Sequence, residues 1–221
     1  DTGGAEWSTI VRNYDSQWRL DGETTTFDDG ARAVNDYDQT SAFVWSSEWT
    51  RYDALNRVDV IVTTFDDGSS SNNNHDQDDS FVWSSEWTHY DALNRVDTVV
   101  TTFDDATYSI NEFDVSDAQD WVTQWTHYDA LDRVDTVFTT FDDASYSINE
   151  FDVANAQSWS TQWTRYDDQD RVDVVVTTYD DGSYAINDYD QAGQFSWASQ
   201  FWLYNSSGQV IGYQLIPDGG G

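Results

Sequence analysis

"WSTQWTRYDDQDRVDVVVTTYDDGSYAINDYDQAGQ" fills residues 159–194 and reads as three strands cut by turn signals. "WSTQWTRYD" (159–167) is a first strand, "DQD" a turn, "RVDVVVTTYD" (171–180) a second strand, "DG" another turn and "SYAINDYD" (183–190) a third. β-branched and aromatic residues fill the runs, no 3.6-residue spacing emerges, and Asp-Gly between strand-like runs is a strong hairpin signal. "QAGQ" then leads to Trp197, one period on.

The period is 38. Trp7, Trp45, Trp83, Trp121, Trp159 and Trp197 fall in one column, giving full units 7–44, 45–82, 83–120, 121–158 and 159–196 without insertion or deletion. A partial, capping unit follows at 197–221, where the Arg column becomes Gln209 and the charges largely vanish. Such regularity predicts an all-β protein, 1–221 as a single array of tandem 38-residue repeats, each of about three antiparallel strands, curled as a meander or folded into two layers. In the second unit "SSSNNNHDQDD" (69–79) replaces the aromatic and the Ile of the third strand with polar residues, and that strand is expected to be loose.

Acidic residues outnumber basic ones 42 to 9, giving a formal charge of −33, and there is no lysine and no cysteine. This field excludes nucleic acid and anionic lipid as partners and attracts cations. Nothing approaches 18 consecutive apolar residues, so no membrane insertion is expected. Aromatic residues at 16% separate the chain from disordered acidic tails. "DTGGAEW" at the start, without Met or an apolar signal core, reads as a processed or excised beginning.

The acidic columns weigh against a β-solenoid, the alternative architecture. There, Asp53, Asp91 and Asp129 would stack at roughly 4.8 Å, with repulsion of roughly 1 kcal/mol per pair even in water, whereas three strands of a meander separate the copies by roughly 14 Å. In the meander the first turn and the end of the third strand share an edge. That edge gathers Asp53, Arg57, Asp59, Asn73 and Asp76 in unit two, with equivalent sets built from Asp91, Asp97 and Asp114, from Asp129, Asp135 and Asp152, and from Asp167, Asp173 and Asp190. One Arg does not neutralise three carboxylates, so these twelve Asp are candidate ligands for a hard cation such as Ca²⁺.

Alternation along the first strand places Trp45 with Trp49, Trp83 with Trp87, Trp121 with Trp125 and Trp159 with Trp163. These rows read as core, or as a platform for sugar rings or a partner chain. A single layer of about 17 strands would leave an apolar face bare, so it must curl, double over or pair with another molecule. His89 and His127 share a column with Arg51 and Arg165, a tolerant position facing acids, and the "DD" pairs read as turn and solubility chemistry or as cation ligands.

"YDALNRVD", followed by an acidic turn and "INEFD" or "INDYDQA", resembles the YD repeats of Rhs-type proteins and teneurins. It is still more similar to the longer YD-like units of large secreted bacterial calcium-binding proteins of the RTX kind. Tyr52-Asp53 and Arg57, with their copies, match the family's YD and GR elements. The resemblance implies β-hairpin arrays used as scaffold, shell or adhesin stalk. Asn56, Asn94, Asp132 and Asp170 stand where the family commonly has Gly, and no "GGxGxD" nonapeptide occurs, so calcium binding is not carried over from that motif.

No nucleophile elbow, phosphate loop or zinc spacing is present, and five equivalent carboxylate pairs are not how one glycosidase site is built. The expectation is a non-enzymatic structural or adhesive repeat protein, extracellular or at the cell surface, stabilised by divalent cations and self-associating or binding another surface protein. The rival is a carbohydrate-binding module that uses its Trp rows on a polysaccharide.

Overall fold

A computed structural model describes residues 7–218. Residues 1–6, on which the reading of a processed start rests, and 219–221 lie outside the described residues. The described chain is all strand and turn, in two compact units, residues 1–106 and 107–221. The first holds β1 (Trp7–Tyr14), β2 (Leu20–Phe27), β3 (Arg32–Tyr37), β4 (Trp45–Tyr52), β5 (Val58–Phe65), β6 (Ser70–His75), β7 (Trp83–Tyr90) and β8 (Val96–Phe103). The second holds β9 (Tyr108–Phe113), β10 (Trp121–Tyr128), β11 (Val134–Phe141), β12 (Tyr146–Phe151), β13 (Trp159–Tyr166), β14 (Val172–Tyr179), β15 (Tyr184–Tyr189), β16 (Trp197–Tyr204) and β17 (Val210–Pro217).

Within each unit the strands form an open antiparallel meander, each pairing with its sequence neighbours. Two packed layers would bury large side chains, yet among the described residues none is fully buried, and the buried apolar residues are Ala31, Ala33, Ala185 and Trp197. Each unit is therefore one sheet with two half-exposed faces.

Every turn contains one residue with positive φ, always in the same column. The turn after the first strand places it at Trp18, Asn56, Asn94, Asp132, Asp170 and Gly208, and the turn after the second at Gly30, Gly68, Ala106, Ala144 and Gly182. Both are three-residue hairpin loops rather than the two-residue turn that Asp-Gly suggests. Phe65 N donates to Ser69 O and Gly68 N to Phe65 O, so the two Asp are the central pair and Gly68 is the left-handed residue that returns the chain to the ladder. Trp18 is the outlier of its column, a bulky side chain held left-handed and 85% exposed.

β6 is a regular strand, paired with β7 over its full length and with β5 over Ser70–Asn74, and not the loose segment its composition predicts. The ladder bonds are backbone to backbone, so two well-formed neighbours impose the register whatever side chains β6 carries.

Three strands per repeat have a geometric consequence. An odd number of antiparallel strands makes each copy start in the direction opposite to the last. The rotation that reverses strand direction while preserving the direction of growth is a half-turn about the growth axis, and it also exchanges the faces. The registers show it: Trp125 shares a row with Phe138, Ile148 and Thr164, while Trp163 shares the opposite row with Asn149, Val137 and Thr126. In the first unit Trp49 lies beside Val62 and Asn72, and Trp87 beside Asn73 and Ile61 on the other face.

Candidate functional site

The turn after the first strand is built around one carboxylate. Asp53 Oδ1 accepts the backbone N–H of Leu55 and of Arg57, at 2.9 and 2.8 Å, and Oδ2 accepts Arg57 Nε at 2.7 Å. Asp15, Asp91, Asp129 and Asp167 repeat these contacts with Arg19, Arg95, Arg133 and Arg171. The N–H of the Arg and its guanidinium hold the Asp53 and Asp91 carboxyls below the usual carboxylate range. The guanidinium also reaches the next loop on its own edge: Arg57 donates to Gln77 O and Arg133 to Val153 O, both at 2.7 Å. The Tyr that ends a first strand packs on the residue opposite it in the preceding strand. Tyr128, Tyr166 and Tyr204 stack on Tyr108, Tyr146 and Tyr184 at 4.4–4.5 Å, and Arg32 lies 3.8 Å over Tyr52.

The other acids also have local work. In the "DD" turns the second Asp takes the residue two positions on: Asp67 Oδ1 accepts both N–H and O–H of Ser69, at 2.9 and 2.6 Å. The loops before each Trp are held by Asp38, Asp76, Asp114, Asp152 and Asp190, whose Oδ2 accepts a backbone N–H five residues on at 2.6–2.7 Å. Asp59, Asp97 and Asp135 sit at a bulge in the second strand and meet Arg51, His89 and His127 at 3.5, 2.6 and 2.8 Å. The fifth unit departs, because Arg165 turns to Asp143, 3.6 Å away. Asp188 is left near Asp173 and Asp190, and burial, then those two charges, push its carboxyl up.

The twelve candidate calcium ligands are thus placed as follows. Asp53, Asp59 and Asp76 line one cleft, on the predicted edge, with Asn74 in the place expected for Asn73, which belongs to the opposite face. Asp53 and Asp76 accept backbone N–H groups, Asp53 also accepts the Arg57 guanidinium, and Asp59 lies 3.5 Å from that of Arg51; among the described residues no three carboxylate or imidazole groups converge on a point. The donor set does not fit a Ca²⁺ ion, which takes six to eight oxygens. Successive copies also leave the shared edge: Asp53 and Asp91 lie on opposite edges, and copies on one edge are six strands apart, roughly 29 Å rather than the expected 14 Å.

The Trp pairs are separated in a similar way. A register shift between Trp45 and Ser47 inserts one residue, so Trp45 stands beside Phe65 and Trp49 beside Val62, three positions apart on β5 and hence on opposite faces. Trp83, Trp121 and Trp159 carry the same shift relative to Trp87, Trp125 and Trp163. Alternation counting misses this because it assumes an unbroken strand.

The cleft itself, about 640 Å³, belongs to unit two. Asn74 and His75 line it where other units have an acid and an aromatic residue, and Phe81 and Trp83, stacked at 4.8 Å, form one wall. On the faces beside it the side-chain oxygens of Asn72 and Asn73 are buried without a hydrogen-bond partner. No family model matches the chain, and no curated protein matches it.

Proposed function

We propose that this is a non-enzymatic structural repeat protein, a scaffold built from interchangeable sheet segments. The observation that carries the reading is that the acids recur as backbone fasteners: the residues a catalytic or metal site would need are engaged in holding turns. The first Asp of each "DD" pair adds charge at the edges, where it keeps a sheet rich in exposed aromatics dissolved. Cations enter as counter-ions of those edges, not as ligated ions. An extracellular place, as part of a surface layer, matrix or adhesin stalk, goes with the resemblance to YD repeats. An antibody raised on the protein should label intact, unpermeabilised producing cells or their shed matrix. Antigen confined to the lysed interior would overturn the placement.

A second reading is favoured by the unit-two cleft. Its stacked aromatic wall, neutral Asn74 and His75, and paired charges suit an uncharged polysaccharide better than an ion. Retardation in native gels containing neutral polysaccharides tests it against a variant in which β6 takes the sequence of β9 and β12 (Ser70→Tyr, Asn72→Ile, Asn74→Glu, His75→Phe). Retardation of the parent and not of the variant supports binding there. Equal migration of both in gels with and without polysaccharide removes this reading.

A further inference from the structure

We propose that the protein stacks on copies of itself, face against face, and that the stack is open-ended rather than a closed dimer. The proposal rests on the scaffold reading and names its partner. Its first support is the half-turn between repeats. On one face of the compact unit 107–221 the mid-sheet row runs Trp125, Phe138, Ile148, then Thr164, Val175, Asn187, then Phe201. On the other it runs Thr126, Val137, Asn149, then Trp163, Val176, Ile186, then Trp202 and Tyr213. Over β10–β15 each face carries one apolar and one polar stripe, three strands wide, and the two faces carry them in opposite order, offset by one repeat. A surface that pairs with a copy on one side therefore presents its equivalent on the other, and such a contact does not close.

The second support is where the charge lies. Neither of these two rows contains a charged residue and the paired acids occupy the turns, while Glu150, Arg165 and Asp188 stand in the rows beside them. Sheets stacked about 10 Å apart bring the neutral mid-sheet stripes together and leave the carboxylates of the turns at the rim, in solvent. The third support is area. Nine strands at about 4.8 Å, each of six to eight residues at about 3.3 Å, present a face of roughly 900–1,100 Å². A standard interface buries about 800 Å² per partner.

Rim repulsion between chains of charge −33 sets the condition for assembly. At 10 mM salt the screening length is about 30 Å, three layers deep, and at 1 M it is about 3 Å, well inside one layer. Sedimentation velocity should find monomer at 10 mM NaCl and, at 1 M, masses that keep growing with protein concentration. Two variants of equal net charge locate the contact. Asn149→Asp with Asn187→Asp puts one carboxylate in the middle of each face of the second unit and should return the protein to monomer at 1 M. Ser206→Asp with Ser207→Asp adds the same charge in a turn and should assemble like the parent. Monomer at 1 M at every concentration, growth that stops at two chains, or equal behaviour of the two variants would overturn the proposal. Mass is read on purified protein, so this outcome is separate from where the antibody finds the protein.

Discussion

At the scale of the residue, the chain contains its own test of the Asp–Arg fastener. In the last repeat Asn205 and Gln209 replace the pair, and Asn205 Oδ1 still accepts the N–H of Ser207 and Gln209 while Nδ2 donates to Gln209 Oε1 at 3.0 Å. The geometry survives with both charges removed, so the carboxylate acts first as an acceptor for backbone N–H groups. Asp53→Asn alone should lower the melting temperature at pH 7, since Arg57 loses its charged partner. Adding Arg57→Gln should recover most of the loss, giving a positive coupling in a double-mutant cycle. The folded Asp53 pKa is depressed, so its stabilisation is fully present above the unfolded value near 3.9 and is lost as pH falls through the lower folded value. The coupling measured by thermal unfolding should be constant from pH 7 to about 5 and decline as the pH falls further, through the depressed folded value. A coupling that persists in strong acid would mean that the charged form is not what Arg57 holds.

At the scale of the element, strands and turns were legible because each has its own residue signature, and the strand boundaries read for unit five match β13, β14 and β15 to within one residue. Faces were not, because one inserted residue near Trp45 reverses them, and a bulge has no composition of its own. The pairing of Asp97 with His89 was legible as a column facing acids, but not as a bond. β6 shows the opposite error, a strand missed because its side chains are polar. Its buried, unpartnered Asn72 and Asn73 oxygens and the missing Tyr stack at Ser70 mark it as the weakest strand of its unit. Replacing β6 with the sequence shared by β9 and β12 removes the Asn72 orphan, restores the stack on Tyr90 and should stabilise the protein by about 1–3 kcal/mol. Denaturant unfolding by tryptophan fluorescence measures it, and a loss of stability would show that the Asn side chains find partners in solution.

At the scale of the whole molecule, the repeat and the choice of meander over solenoid followed from spacing and charge, while the fate of the charge did not. Counting one Arg against three carboxylates per edge leaves surplus oxygens and points to calcium. That count omits backbone N–H groups, which occupy carboxylate oxygens without carrying formal charge and are invisible in composition. Two kinds of cation effect are then distinguishable. Ligated sites stabilise by mass action and select the ion whose size and coordination they fit, so calcium would act well below the concentration at which magnesium does. Counter-ions screening a field of 42 acids against 9 arginines respond to valence and concentration alone. With the candidate ligands engaged in turns, CaCl₂ and MgCl₂ at equal concentration should raise the melting temperature equally, without saturating in the micromolar range, and NaCl should reach the same plateau at higher concentration. A calcium-specific, saturable rise would show that the carboxylates exchange their backbone partners for the ion, and the fastener account of the turns would have to be replaced by a metal-closed one.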